Sequence, residues 1–126
     1  MKTILAFVLA GASLVLFNGC ATSSNGSATA GAAVYSGGEL SDTLMVSLMD
    51  ARVAALAGAN DLQLTVLDDT KTPAHANITV RTTTNTNIDI ILVKQARNLT
   101  GIRIRAGASG DEPLSRELLE KIKAHL

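Results

Sequence analysis

Four short runs in the second half of the chain alternate apolar and polar residues, and this pattern constrains the fold most. A period of two is typical of β-strands that bury one face. Polar segments at residues 68–73, 85–87 and 94–100 separate the runs and predict hairpins in an antiparallel meander. The apolar positions are Leu62, Leu64 and Val66; Ala76, Ile78 and Val80; Ile88, Ile90 and Leu92; and Ile102, Ile104 and Ala106.

A first amphipathic helix is predicted before these runs, because apolar residues recur there at spacings of three and four. Either Ser41 or Asp42 can cap its start, and Ser47 with Asp50 three residues later is the alternative. Gly58, followed by Asn60, is expected to end it. The predicted apolar stripe consists of Leu44, Met45, Leu48, Met49, Val53 and Leu56.

A second helix is predicted at the end of the chain, where Asp111 or Glu112 can cap it and Pro113 suits its first turn. Its apolar stripe consists of Leu114, Leu118, Leu119, Ile122 and Leu126. Residues 34–40 read as a short edge strand weakened by glycine.

The predicted element order is therefore β-α-β-β-β-β-α, within a single domain spanning residues 34–126. Two amphipathic helices and one sheet with a single apolar face pack most simply when both helices cover that face. The fold class is α+β, with an antiparallel sheet of four to five strands. This layout resembles that of helix-grip domains.

The start of the chain has the pattern of a secretory signal. Lys2 supplies a positive charge, and residues 4–17 form an apolar run that is shorter than the roughly 20 residues needed to span a bilayer. The chain's only cysteine, Cys20, follows directly. We therefore expect residues 1–19 to be removed as a signal peptide.

The sequence LFNGC at residues 16–20 resembles the lipobox of bacterial lipoproteins. The resemblance implies that Cys20 carries a diacylglyceryl group with fatty acids such as palmitate, and that cleavage occurs before it. Ordinary cleavage near Cys20, or a later cut after Ala30, is the alternative and would leave a soluble periplasmic protein. The small, polar residues of 20–33 are typical of a flexible linker. Because Ala21 follows the cysteine, the resemblance also implies sorting to the outer membrane, with the domain facing the periplasm.

Composition argues against several classes of function. Lys and Arg number eleven, as do Asp and Glu, so the chain lacks the net charge that attracts nucleic acid. His75 and His125 have no other ligands at a metal-binding spacing. No serine lies in a motif that places a base beside it. We therefore expect a non-enzymatic protein without a metal or a cofactor.

The solvated face of the predicted sheet offers one candidate site. Alternation places Arg81, Arg103 and Arg105 on this face, and Ile91 and Val93 beside them. A solvated, partly paired surface is the simplest interpretation. Arginines next to apolar residues also suit a docking surface for an acidic protein partner.

Two segments resemble a family of small bacterial lipoproteins known as domain-of-unknown-function family 3568. They are Gly38-Glu39-Leu40 after Tyr35, and residues 110–122, GDEPLSRELLEKI. The resemblance spans about residues 34–126 and implies an envelope location, but it supplies no active site. We expect a lipoprotein that acts through protein contacts in the envelope. The alternative is a module that binds a small apolar or lipidic ligand between helices and sheet.

Overall fold

The computed structural model describes residues 32–126, so the predictions for the signal peptide, for Cys20 and for most of the linker lie outside it. The described chain forms one antiparallel sheet and two helices. Its strands lie in the order β1-β2-β6-β5-β4-β3, which confirms the α+β class but gives six strands rather than four or five. The elements are β1 Val34–Ser36, β2 Glu39–Leu44, α1 Leu48–Asp61, β3 Thr65–Lys71, β4 His75–Arg81, β5 Asn87–Ala96, β6 Leu99–Ala106 and α2 Glu112–Lys123.

The additional strand comes from residues 34–44, which form a hairpin. Gly37 and Gly38 have φ angles of 61° and 81° and make its two-residue turn. Glycine adopts positive φ without steric cost, and a turn with two such residues joins antiparallel strands well. Ser41 and Asp42 therefore lie in β2, and the prediction that either one caps the first helix is wrong.

The four predicted strands are all present, but their ends differ. The first begins at Thr65 rather than Leu62, because α1 runs to Asp61 and Leu62 caps it. Asp68 and Asp69 pair with β4 instead of forming a turn. Similarly, β5 ends at Ala96 and β6 begins at Leu99. A tight turn at residues 97–98 therefore joins them.

One face of the sheet is covered by both helices, as predicted. The alternate residues of β4, β5 and β6 on this face, including Ile78, Ile90 and Ile104, are fully buried. From α2, Leu118, Leu119 and Ile122 pack against them, and the Asp111 side chain caps that helix by accepting a hydrogen bond from the Leu114 amide at 3.1 Å. The predicted C-terminal helix is thus confirmed, although Leu126 is exposed.

α1 buries only part of the predicted stripe. Leu48 and Leu56 are partly buried against the core, but the fully buried face of α1 is a different one. Its N-cap is the alternative, Ser47, whose side chain accepts from the Asp50 amide. Met49 and Val53 of the predicted stripe, and Met45 before the helix, are 47%, 57% and 55% exposed. The buried residues are small: Ala51, Ala54, Ala55, Gly58 and Ala59.

Close approach of the two helices explains this choice. A Cβ atom on Gly58 would lie only 2.8 Å from the Ile122 backbone nitrogen in α2. Gly58 therefore lies within α1 as a packing residue, and the prediction that the helix ends there is wrong. Side chains larger than alanine do not fit such a contact, so small residues occupy the face of α1 that meets α2, while Met49 and Val53 are exposed.

Three polar side chains lie within the core of the described chain, and one of them, Ser115 of α2, has no hydrogen-bond partner there. Asp42 on β2 is buried, and the Lys123 ammonium group of α2 lies 2.9 Å from its Oδ2 atom, an ion pair outside hydrogen-bond geometry. Thr100 on β6 is fully buried and donates to the Val46 carbonyl at 2.9 Å. These contacts tie α2 and the β2–α1 connection to the sheet. Among the described residues, no helix has the length and apolar character needed to cross a membrane.

Candidate partner-binding face

The sheet face away from the helices carries the residues that the sequence placed in a partner surface. Strand register sets Arg103 of β6 between Ser41 of β2 and Ile91 of β5. The next row joins Thr43, Gly101 and Val93. Ile91, Val93 and Arg103 are therefore neighbours on one surface, as alternation predicts.

A shallow groove of about 550 Å³ runs across this part of the face, and we call it the open-face groove. Its floor contains Gly101, where β6 presents no side chain. Val93 of β5, Arg103 of β6 and Val34 of β1 line it around this glycine. A glycine inside a strand often marks a place where another group approaches the backbone closely. Here the Gln95 side chain occupies part of that space, since a Cβ on Gly101 would lie 2.7 Å from its Nε2 atom.

The open-face groove combines apolar surface with one accessible charge. Val34 is 60% exposed and Val93 is 38% exposed. The Arg103 side chain is 49% exposed, and its acidic neighbour is Glu39, with 3.9 Å between Nη1 and Oε1. This separation is longer than a hydrogen bond, and exposed pairs of this kind contribute about 0–1 kcal/mol. The guanidinium can therefore bind a carboxylate from another molecule.

The other two arginines of the predicted surface have structural contacts. Arg105 donates from Nη2 to the Gly37 carbonyl at 3.1 Å and so holds the β1–β2 turn. Arg81 lies on β4 and donates from Nε to Asn87 Oδ1 at 3.1 Å. Neither residue lines the open-face groove, and Ile91 does not line it either. Strand register thus places all five proposed residues on the same face, but only Val93 and Arg103 line the groove.

Comparison of the sequence with known protein families identifies the family of this chain. A family model described as "Protein of unknown function (DUF3568)" matches residues 2–125, which is nearly the whole chain. The chain belongs to the DUF3568 family. This confirms the resemblance seen in residues 38–40 and 110–122. A search of curated proteins gave no match.

The structure shows the surroundings of the two histidines of this DUF3568 protein. Within residues 32–126, no three His, Cys, Asp or Glu side chains lie close enough together to hold a metal ion. His75 lies beside the β3–β4 turn, where its Nδ1 atom is 3.1 Å from Thr72 Oγ1. His125 instead contacts Asp61 at the far end of the helices, so the two histidines have separate surroundings.

Sequence reasoning missed two features of this DUF3568 protein. The first is Gly101, whose signal was an isolated glycine inside an alternating strand pattern. The second is the exposed outer stripe of α1, formed by Met49 and Val53 with Met45 before the helix. Its signal was a helix with apolar residues on nearly every side, since alanines occupy the positions between the larger residues.

Proposed function

We propose that this protein is a non-enzymatic lipoprotein of the bacterial envelope that acts by holding a partner protein on its open sheet face. The observation that carries the proposal is the open-face groove, in which Gly101 leaves a depression between Val93 and Arg103. An apolar depression beside an accessible guanidinium has the composition of a small protein-binding surface.

The partner that fits is an extended protein segment with an apolar side chain and a nearby carboxylate. The apolar side chain would lie over Gly101 against Val93, and the carboxylate would pair with Arg103. Arginine binds a carboxylate through two parallel hydrogen bonds, which gives orientation as well as attraction. Asp42, the other charged residue that lines the groove, is already paired with Lys123 and so does not repel an acidic segment.

The packing of the core supports this reading over a ligand held between helices and sheet. Within the described chain, the large side chains at that interface, such as Ile90, Ile104 and Leu118, are fully buried against one another. Such interiors have the density of organic crystals, so the centre of this interface has little room for a ligand.

The membrane anchor is part of the proposal and rests on the leader sequence. With lipid on Cys20, the domain would be tethered to the outer membrane and would face the periplasm. We predict that Cys20→Ala abolishes lipidation, because the thiolate that receives the lipid is removed. Intact-mass measurement and membrane fractionation of both proteins check this. Equal mass and equal membrane retention of the variant and the wild type would exclude the anchor.

The partner surface can be tested by site-specific photo-cross-linking in cells. A photoreactive amino acid replaces Val93 in the full-length protein, and a matched one replaces Glu117, which lies exposed on α2. We expect one reproducible cross-linked protein from position 93 that is absent from position 117. Mass spectrometry identifies it.

Two substitutions decide whether the open-face groove makes that contact. Gly101→Val fills the groove, and valine suits a strand. The added Cβ would be crowded only by the flexible end of Gln95, with the Val93 carbonyl at an ordinary contact distance of 3.8 Å. Arg103→Glu reverses the one accessible charge. Both should remove the cross-link, whereas Arg116→Glu, a matched reversal on α2, should not. An undiminished cross-link in Gly101→Val with its fold intact, or no cross-link from position 93 at all, would overturn the proposal.

A further inference from the structure

A second cavity lies on the helix side of the sheet, where the first turn of α1 meets the ends of three strands. Its volume is about 420 Å³. Leu48, Met49, Pro73 and Ala76 give it an apolar lining, and Ala76 is fully buried. We call this cavity the basic pocket because of the charges at its rim. It is separate from the open-face groove, which lies across the sheet.

Four cationic side chains line the basic pocket, and each comes from a different element. They are Arg52 of α1, Lys71 of β3, Lys94 of β5 and Arg97 of the β5–β6 turn. No acidic residue of the described chain lines it. Strand register explains two of these positions, because Lys71 and Lys94 pair with the buried residues Ala76 and Thr100 and so belong to the helix side.

Only one of the four cations has an acidic partner within the described chain. Arg52 binds Asp69 through two contacts, Nε to Oδ1 at 3.0 Å and Nη2 to Oδ2 at 2.5 Å. Lys71, Lys94 and Arg97 have no carboxylate within 4.0 Å among residues 32–126. Like charges around a shared cavity repel one another, so their convergence without acids favours an anion between them.

The wall opposite α1 is held by its own hydrogen bonds. Thr72 Oγ1 accepts from the amides of Ala74 and His75 at 3.2 and 3.1 Å, which fixes the β3–β4 turn. The Lys94 amide donates to the Ala74 carbonyl at 2.8 Å and joins β5 to that turn. A pre-formed wall reduces the ordering cost of binding.

We propose that the basic pocket binds a phosphate ester with a short apolar group. The phosphate would lie among Lys71, Lys94 and Arg97, because its charge and acceptor oxygens match three cationic donors. The apolar group would lie against Leu48, Met49 and Pro73. Small-ligand sites span roughly 300–1,000 Å³ and combine apolar walls with a few polar groups, as this cavity does. The inference goes beyond the proposed protein contact and uses none of its residues.

The test uses the full-length chain purified in a non-ionic detergent, with n-butyl phosphate as the probe. Inorganic phosphate and n-butanol test separately how the phosphate and the butyl group of this probe bind. We expect saturable binding by calorimetry, tighter for the ester than for either part, with amide NMR shifts at Thr72 and Arg97. Lys94→Glu should weaken binding roughly tenfold or more, since it removes one charge-assisted contact and adds repulsion. Lys121→Glu makes the same change on the exposed surface of α2 and should leave binding within about twofold.

A further measurement identifies the source of the phosphate. Short-chain dihexanoyl phosphatidylglycerol should displace n-butyl phosphate if the natural ligand is a lipid headgroup, whereas a free phosphate ester predicts no displacement. Both results are consistent with a phosphate ester site in the basic pocket. Equal losses of affinity in Lys94→Glu and Lys121→Glu would overturn the proposal, as would absence of saturable binding up to roughly 10 mM ester.

Discussion

Gly58→Ala tests the contact that sets the position of α1. In an ordinary helix interior this change is favourable by about 1 kcal/mol, because alanine has the higher helix propensity. Here the new Cβ would lie 2.8 Å from the Ile122 backbone nitrogen and 2.9 Å from its Cγ1 atom. The side-chain atom can rotate away, but the backbone nitrogen moves only with α2.

The expected sign follows from comparing these two effects. Forcing one extra carbon into a packed interface costs about 1–3 kcal/mol, and contact with backbone favours the upper end. After the gain in helix propensity, a net loss of about 1–2 kcal/mol in the free energy of unfolding remains. For a domain of this size, that corresponds to a melting temperature lower by roughly 5–15 °C.

The assay is thermal and urea unfolding of the purified full-length protein, followed by far-ultraviolet circular dichroism. Asn60→Ala is the matched control, because Asn60 is exposed on the same helix and its substitution changes helix propensity alone. We expect that control to be neutral or to stabilise by about 0.5 kcal/mol. A Gly58→Ala protein as stable as the wild type, or more stable, would show that the helices do not approach as closely as described.

Two buried polar groups give further predictions. Thr100→Val preserves the shape of the side chain but leaves the Val46 carbonyl without its donor, so urea unfolding should show a loss of about 1–3 kcal/mol. A loss below about 0.5 kcal/mol would mean that water replaces the hydroxyl. Asp42→Ala leaves the Lys123 ammonium without its acid and should cost about 3 kcal/mol, most of which a second change, Lys123→Met, should restore. If that double variant is no more stable than Asp42→Ala, the ion pair is not the cause.

Strands β4, β5 and β6 and helix α2 could be predicted from sequence because one rule governs each of them. Alternation placed Ile78, Ile90 and Ile104 on the buried face, and Asp111 with Pro113 marked the start of α2. α1 could not be predicted in this way. Its buried face is chosen by how closely α2 approaches, and that distance depends on residues more than 50 positions away in sequence. Hydrophobicity alone predicts that Met49 and Val53 are buried. Close packing against α2 instead requires small residues, so Ala55 and Gly58 are buried.

The same distinction applies to the candidate sites. Alternation alone gathered Ile91, Val93 and Arg103 on one face, so that part of the surface was predictable. The open-face groove was not, because its depth depends on Gly101 lying in register with Val93 on the neighbouring strand. The basic pocket was even harder to predict from sequence. Its cations are separated in sequence, and only the folded chain shows that they converge without acids.

Adjacent residues on β5 make the two proposals independently testable. Val93 faces the open-face groove and Lys94 faces the basic pocket, because successive side chains of a strand point to opposite faces. Lys94→Glu should therefore weaken binding of n-butyl phosphate while the cross-link from position 93 persists. Gly101→Val should remove that cross-link while the ester binds as in the wild type. If either variant abolished both activities while its unfolding curve stayed unchanged, the two surfaces would be coupled through the sheet rather than separate. Loss of both together with loss of the folded state would instead identify a damaged fold, which is why unfolding is measured on the same samples.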